Sequence, residues 1–271
     1  MKSALTALTQ EIAGKRLSRP MGRVSGIHGG VIEVSGLAGD ARIGDRLILK
    51  RQEGDGLPGE VMQIHLDSVS MLPDVAPDRV AMNDRVILHP TPDFAPDDNW
   101  IGRVIDPLGE PIDGRPLLRG PAARDIMAAP PPAGTRQPMG ERLATGLSVL
   151  NTVLPVVEGQ RVGLFAGSGV GKSTLLAQLA QNMEADVVVM ALIGERGREV
   201  KHFVDDVLGP EGMKRAVVVA ATSDQSALVR RRCAQSAMAV AEHFRDQGKR
   251  VLLLADSVTR FAEAPREIAV A

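Results

Sequence analysis

The chain has 271 residues, enough for a buried core and, by length alone, for about two domains. Charged residues make up 24% and cancel to a net charge of -1, so no global field marks a nucleic-acid wrapper or a membrane-surface protein. Aromatics are 2% with no tyrosine, which argues against base-stacking surfaces, and the single cysteine, Cys233, excludes an internal disulfide and fits a reducing, cytoplasmic setting.

Residues 1–20 open the chain with Leu5, Leu8, Ile12 and Leu17 at helical spacing and Lys15 and Arg16 near the end, which predicts a short amphipathic helix over 4–17. This start lacks the continuous apolar core of a signal peptide, and no run approaches the ~18 apolar residues of a spanning helix. Over 21–92 the texture changes to short runs, VIEVSG, RLILK, GEVMQIHL and DRVILHP, punctuated by Gly, Asp and Pro. That pattern predicts a small β-barrel domain. The polar, proline-rich HPTPDFAPDDNW places a boundary, so 93–271 forms the second domain; a further proline-rich connector, MAAPPPAGTRQP, follows within it.

From about Leu147 the rhythm is strand, turn, helix, strand, the signature of an α/β domain with a parallel sheet. RVGLFA, DVVVMALI, RAVVVAAT and VLLLAD are the expected central strands, because buried parallel strands read as unbroken apolar runs. SALVRRRCAQSAMAVAEHFRDQG predicts a long helix with Leu228, Ala234, Ala237, Ala241 and Phe244 on one side and Gly248 as its stop. Cys233 lies within it and reads as a small packed side chain rather than a redox group.

GLFAGSGVGKSTLL sets an apolar run before a glycine-rich turn and a good helix former after it, the context a phosphate-binding P-loop needs. The loop runs Ala166, Gly167, Ser168, Gly169, Val170, Gly171, Lys172, Ser173, Thr174. Its glycines allow backbone shapes closed to residues with a Cβ, so that successive N–H groups wrap phosphate oxygens and the next helix offers its positive end. Lys172 carries a compact cation to the β- and γ-phosphates of ATP, and the Ser173 hydroxyl is a ligand for Mg²⁺. The usual pattern opens with glycine where this chain has Ala166, a small steric departure.

A P-loop alone means binding; hydrolysis needs a carboxylate that orients water. ALIGERGREV sets Glu195 and Arg196 at the carboxyl end of an expected strand, where ligands bind in open α/β sheets, and Glu195 is the candidate general base. VLLLA leads to Asp256, positioned to hold the Mg²⁺ shell through a water, with Arg260 one turn on.

GLFAGSGVGKST, ALIGERGREV, AATSDQSALVRR and LLADSVTRFAEAPREIA, in this order, resemble the hexameric rotary-type ATPases, and specifically their flagellar and type III protein-export branch; GRVIDPLGEPIDG fits as well. The resemblance implies a P-loop NTPase (RecA-like) fold, a barrel that crowns a homohexameric ring, and a helical C-terminal domain absent from a chain that stops inside REIAVA. It also implies ATP at subunit boundaries, with an arginine finger and much of the adenine pocket supplied from beyond residue 271, so this piece alone is expected to be weak or inactive as an ATPase. Arg196 carries over as a phosphate-side or interface residue and Arg260 as a group that positions Glu195. Implied partners are a stator-like regulator and export substrates or chaperones, with the N-terminal helix touching the regulator and the inner membrane periphery, and no nucleic acid. Glu195 speaks against a non-catalytic ring subunit, in which glutamine is common there. The DSVTRFAEAPREIA ending disfavours an ion-translocating synthase subunit, and the scarcity of aromatics in 20–90 disfavours an RNA-translocating ring. Flagellar and virulence-type export share all these motifs.

Overall fold

The structure, a computed structural model, describes residues 18–89, 94–167 and 170–270. The helix expected over 4–17 lies outside the described residues. Contacts divide the chain into two compact units between residues 91 and 92.

The first unit is a closed barrel of β1 (Met21–His28), β2 (Val31–Ser35), β3 (Arg46–Lys50), β4 (Leu57–Ile64), β5 (Ser68–Pro73) and β6 (Arg85–His89), in the order β1-β2-β5-β4-β3-β6. Every neighbouring pair is antiparallel. Side chains alternate across each strand, so Val24, Ile32, Val34, Leu47, Leu49, Val69, Met71 and Val86 fill the interior while their neighbours look outward. Closure leaves no free sheet edge.

The second unit is built on four parallel strands in the order β10-β8-β9-β7: β7 (Arg103–Ile105), β8 (Val187–Glu195), β9 (Ala216–Thr222) and β10 (Val251–Asp256). Its helices are α1 (Ser148–Thr152), α2 (Lys172–Asn182), α3 (Gly197–His202), α4 (Gly209–Met213), α5 (Ala227–Asp246) and α6 (Val258–Val270). Odd-numbered residues of β8, Val187 to Ile193, pack with Cys233, Ala237, Val240 and Phe244 of α5. Even-numbered ones, Val188, Met190 and Leu192, pack with Leu176 and Ala180 of α2 and Val200 of α3. A sheet covered on both faces needs apolar residues at every position, which is why these strands carry no alternation.

α5 ends as its sequence predicts, with Gly248 just beyond it at φ +81°, a backbone shape that stops a helix at little cost for glycine. Cys233 is fully buried in α5; burial pushes its thiol up to about 12, so it is inert packing.

One expected strand does not form. RVGLFA, residues 161–166, has no strand neighbour, and Phe165 is 98% exposed. Strand propensity is realised only through pairing, and among the described residues the sheet ends at β10 with nothing bonded to its outer edge. The fourth place in the sheet goes instead to β7, from the GRVIDPLGEPIDG segment. That segment is braced by Arg103, which donates to Asp113 through Nε at 2.7 Å and through Nη2 at 2.8 Å. Nearby, Trp100 is fully buried, edge-on to Phe94 with ring centroids 5.4 Å apart, and its indole N–H donates to the Leu118 carbonyl.

Candidate functional site

At the entry to α2, Gly171 takes φ +93°, which a residue with a Cβ adopts only under strain, and its carbonyl accepts the Leu175 N–H. The turn aims the free N–H groups of the first helical turn, and the positive end of the helix, at the space above the sheet. Lys172 leaves this turn toward β10, where its Nζ lies 2.6 Å from Asp256 Oδ1. The Asp256 side chain is 9% exposed and the Lys172 side chain 32%, so the pair is partly shielded from water.

Glu195 closes β8. Its side chain is 15% exposed, and Arg260 of α6 lies 3.6 Å from its Oε1. Burial pushes the Glu195 carboxyl up to about 7, helped by a hydrogen bond to Glu199 and by the Asp256 charge, while Arg260 pulls it down. The same interaction holds the Glu199 carboxyl below its ordinary value.

Ala166, Gly167, Gly171, Lys172, Ser173, Thr174, Glu195 and Asp256 line one cleft of about 530 Å³. That volume suits a small-molecule ligand, and the lining offers a cation, two carboxylates, hydroxyls and helix N–H groups. Val170 is exposed beside the loop, while Ser168 and Gly169 lie outside the described residues. Arg260 touches Glu195 but does not line the cleft. Arg196 does not line it either: 64% exposed, it faces Glu199 at 3.9 Å. A hydroxyl and a single carboxylate beside a glycine turn at a helix N-terminus fit Mg²⁺, which keeps several waters and substrate oxygens in its shell. The described residues hold no group of three or more acidic, His or Cys side chains of the kind a protein-only metal cage needs.

Two neighbours of Glu195 are not singled out by sequence reasoning. Glu199 is signalled only by its spacing of four from Glu195 on the way into α3. Gly194 is signalled by an isolated glycine at the end of an apolar strand, a mark of a bulge.

Residues 146–271 match the ATP synthase alpha/beta family, nucleotide-binding domain. A flagellum-specific ATP synthase of Rhizobium meliloti (strain 1021) is 44% identical over 271 residues, 99% of this chain and 58% of that protein. The chain belongs to this ATPase family. An SPI-2 type 3 secretion system ATPase of Salmonella typhimurium is 54% identical over 171 residues, 63% of this chain and 39% of its own length. Among solved structures, the assembled ATPase EscN in complex with its central stalk EscO, from the enteropathogenic E. coli type III secretion system, superposes with a TM-score of 0.81 at 37% identity, covering 92% of this chain and 60% of that one. The family member described here thus spans little more than half the length of the flagellar relatives it matches. The family uses nucleotide, and no described helix is long and apolar enough to cross a membrane.

Proposed function

We propose that this chain carries the Mg-ATP-binding and hydrolysing groups of a subunit that energises flagellar protein export, working as a homohexamer at the periphery of the inner membrane. The observation that carries the reading is the convergence of Lys172, Ser173, Glu195 and Asp256 on one cleft in a chain of this family. The flagellar branch is favoured because its relatives are 44–45% identical over 92–99% of the chain, whereas EscN of the type III secretion branch, over 92%, is 37% identical.

In this reading the N–H groups at the start of α2 and the Lys172 ammonium bind the phosphates of ATP. The Ser173 hydroxyl, and Asp256 through a water, would hold Mg²⁺, which when bound would supply charge neutralisation at the phosphates. Glu195 as carboxylate accepts a hydrogen bond from the attacking water and orients it in line with the γ-phosphorus. Arg260 holds the Glu195 carboxyl toward that water and favours its ionised form. The solved EscN relative is an assembled ATPase bound to a central stalk, and an assembled ring with a stalk or stator-like regulator is the corresponding arrangement here.

The test is deletion of the gene in its own organism with secretion of hook and filament protein into the medium as the readout. Loss of both supports the reading; secretion at the parental level, with export of virulence-type substrates lost instead, moves the protein to the other branch.

A further inference from the structure

The side chains of β8 alternate strictly up to Ile193, and strict alternation would carry Glu195 to the face occupied by α5, away from Lys172. The pairing with β9 slips at that point: Ile193 lies opposite Ala221 and Glu195 opposite Thr222, so Gly194 is one residue too many in β8. Its φ of +70° is left-handed. A Cβ built on Gly194 would point at the helices of the α5 side, 3.0 Å from Arg260 Cδ and 3.2 Å from Arg230 Cδ. Ile193 and Gly194 therefore look toward the same face, and Glu195 turns to the other. Leu254 of β10 packs on the α2 face, and Asp256, two residues on, shares it. The extra residue thus brings the Glu195 carboxyl onto the face that carries Asp256 and Lys172.

We infer that Gly194 is a positioning residue for hydrolysis: its left-handed bulge reverses the side-chain parity of β8 and turns Glu195 into the phosphate cleft. The inference rests on Glu195 being the base. Gly194 acts through backbone shape, which only glycine, and to a lesser extent asparagine, adopts readily. A Cβ there would need the flexible Arg260 and Arg230 stems to give by only a few tenths of an ångström, so the left-handed backbone shape, rather than space, is what Gly194 supplies.

The test compares wild type, Gly194→Ala, Gly194→Asn and Glu195→Gln, with circular dichroism to check folding. Mg-ATP affinity is measured by calorimetry, and hydrolysis as a single turnover of ATP under protein excess. Gly194→Ala is expected to keep affinity within about twofold and slow the single turnover at least about tenfold, the scale of a misdirected general base. Gly194→Asn, tolerant of the left-handed shape, is expected to stay within about threefold of wild type on both readouts. A second measurement needs no turnover: bound Mn²⁺-ADP should broaden the Glu195 carboxyl ¹³C signal in wild type and Gly194→Asn, and not in Gly194→Ala.

Wild-type turnover or undiminished broadening in Gly194→Ala overturns the inference, as does a loss of rate matched by an equal loss of affinity. If Gly194→Ala does not fold, Gly194→Asn decides alone: rate and broadening retained support the parity argument, and either one lost with affinity intact overturns it. A wild-type rate in Glu195→Gln overturns the base reading and this inference with it, whereas a slow Glu195→Gln beside a fast Gly194→Ala overturns this inference only.

Discussion

Lys172 and Asp256 are bound to each other across the cleft, ammonium to carboxylate at 2.6 Å, from the first turn of α2 to the end of β10. In the proposed site the phosphates would therefore compete for Lys172 with a partner it already has, the group proposed for the Mg²⁺ shell. Asp256→Asn removes the competing charge. We expect it to tighten binding of Mg-free ADP by about tenfold, the scale of one charge-assisted hydrogen bond, while abolishing the gain in ATP affinity on adding Mg²⁺. Calorimetric titrations with and without EDTA check both halves, and unchanged Mg-free affinity contradicts the competition.

Lys172→Ala removes the cation instead. Mg-ATP affinity should fall by about tenfold or more, because a charge-assisted contact to phosphate is lost and Asp256 then opposes the incoming anion. The far-ultraviolet spectrum should not change, since Lys172 is partly exposed and packs no core.

Glu195→Gln separates binding from chemistry. In the full-length subunit, affinity for Mg-ATP should remain, and hydrolysis should fall by about a hundredfold or more, as the amide cannot accept the proton of the attacking water. Hydrolysis at the wild-type rate would remove Glu195 from its role.

The pH dependence follows from the environment of the same carboxyl. With its pKa raised to about 7, Glu195 is protonated below that pH and a carboxylate above it, so the rate should climb as pH rises through about 7 and then level off. Arg260 pulls the value down, so Arg260→Ala should move the midpoint to higher pH; Asp256 pushes it up, so Asp256→Asn should move it lower. Single-turnover rates between pH 5.5 and 9, buffered at constant ionic strength, read both shifts on the order of a fraction of a unit or more. A midpoint in Arg260→Ala at or below that of wild type contradicts the arrangement.

Much of this was legible in the residues because local signals agreed with the final contacts. Four of the six barrel strands, β2, β3, β4 and β6, together with β8 to β10 and α5, lie where apolar pattern and turn residues put them. RVGLFA has the same composition as those strands and forms none, because pairing is a relation between segments and its own residues say nothing about a neighbour. β7 is the converse: three residues in a turn-rich segment become a strand because β9 offers them an edge. In the cleft, motif spacing names Lys172, Ser173, Glu195 and Asp256, yet period-two alternation read from β8 would turn Glu195 to the wrong face. The bulge at Gly194 corrects it, and one glycine in an apolar run is a faint mark of so large a change.

The brace beneath β7 offers a test of the second unit that does not involve the cleft. Arg103 and Asp113, with side chains 10% and 13% exposed, join through two hydrogen bonds, and Arg103 Nη1 donates also to the Pro116 carbonyl. The guanidinium holds the Asp113 carboxyl far below the usual carboxylate range. Asp113→Asn leaves the guanidinium buried without its counter-charge, and the loss in stability at neutral pH should be about 3 kcal/mol. A folded-state pKa lowered in this way gives stability that is fully present above the unfolded value, 3.8, and is lost as pH falls toward the folded one. The gap between wild type and Asp113→Asn should therefore be constant from about pH 5 to 8 and narrow steadily below about pH 4. Urea unfolding of both proteins at pH 7 and pH 3 reads the gap directly. A gap that stays the same at both values would mean that Asp113 acts through shape rather than through its charge on Arg103.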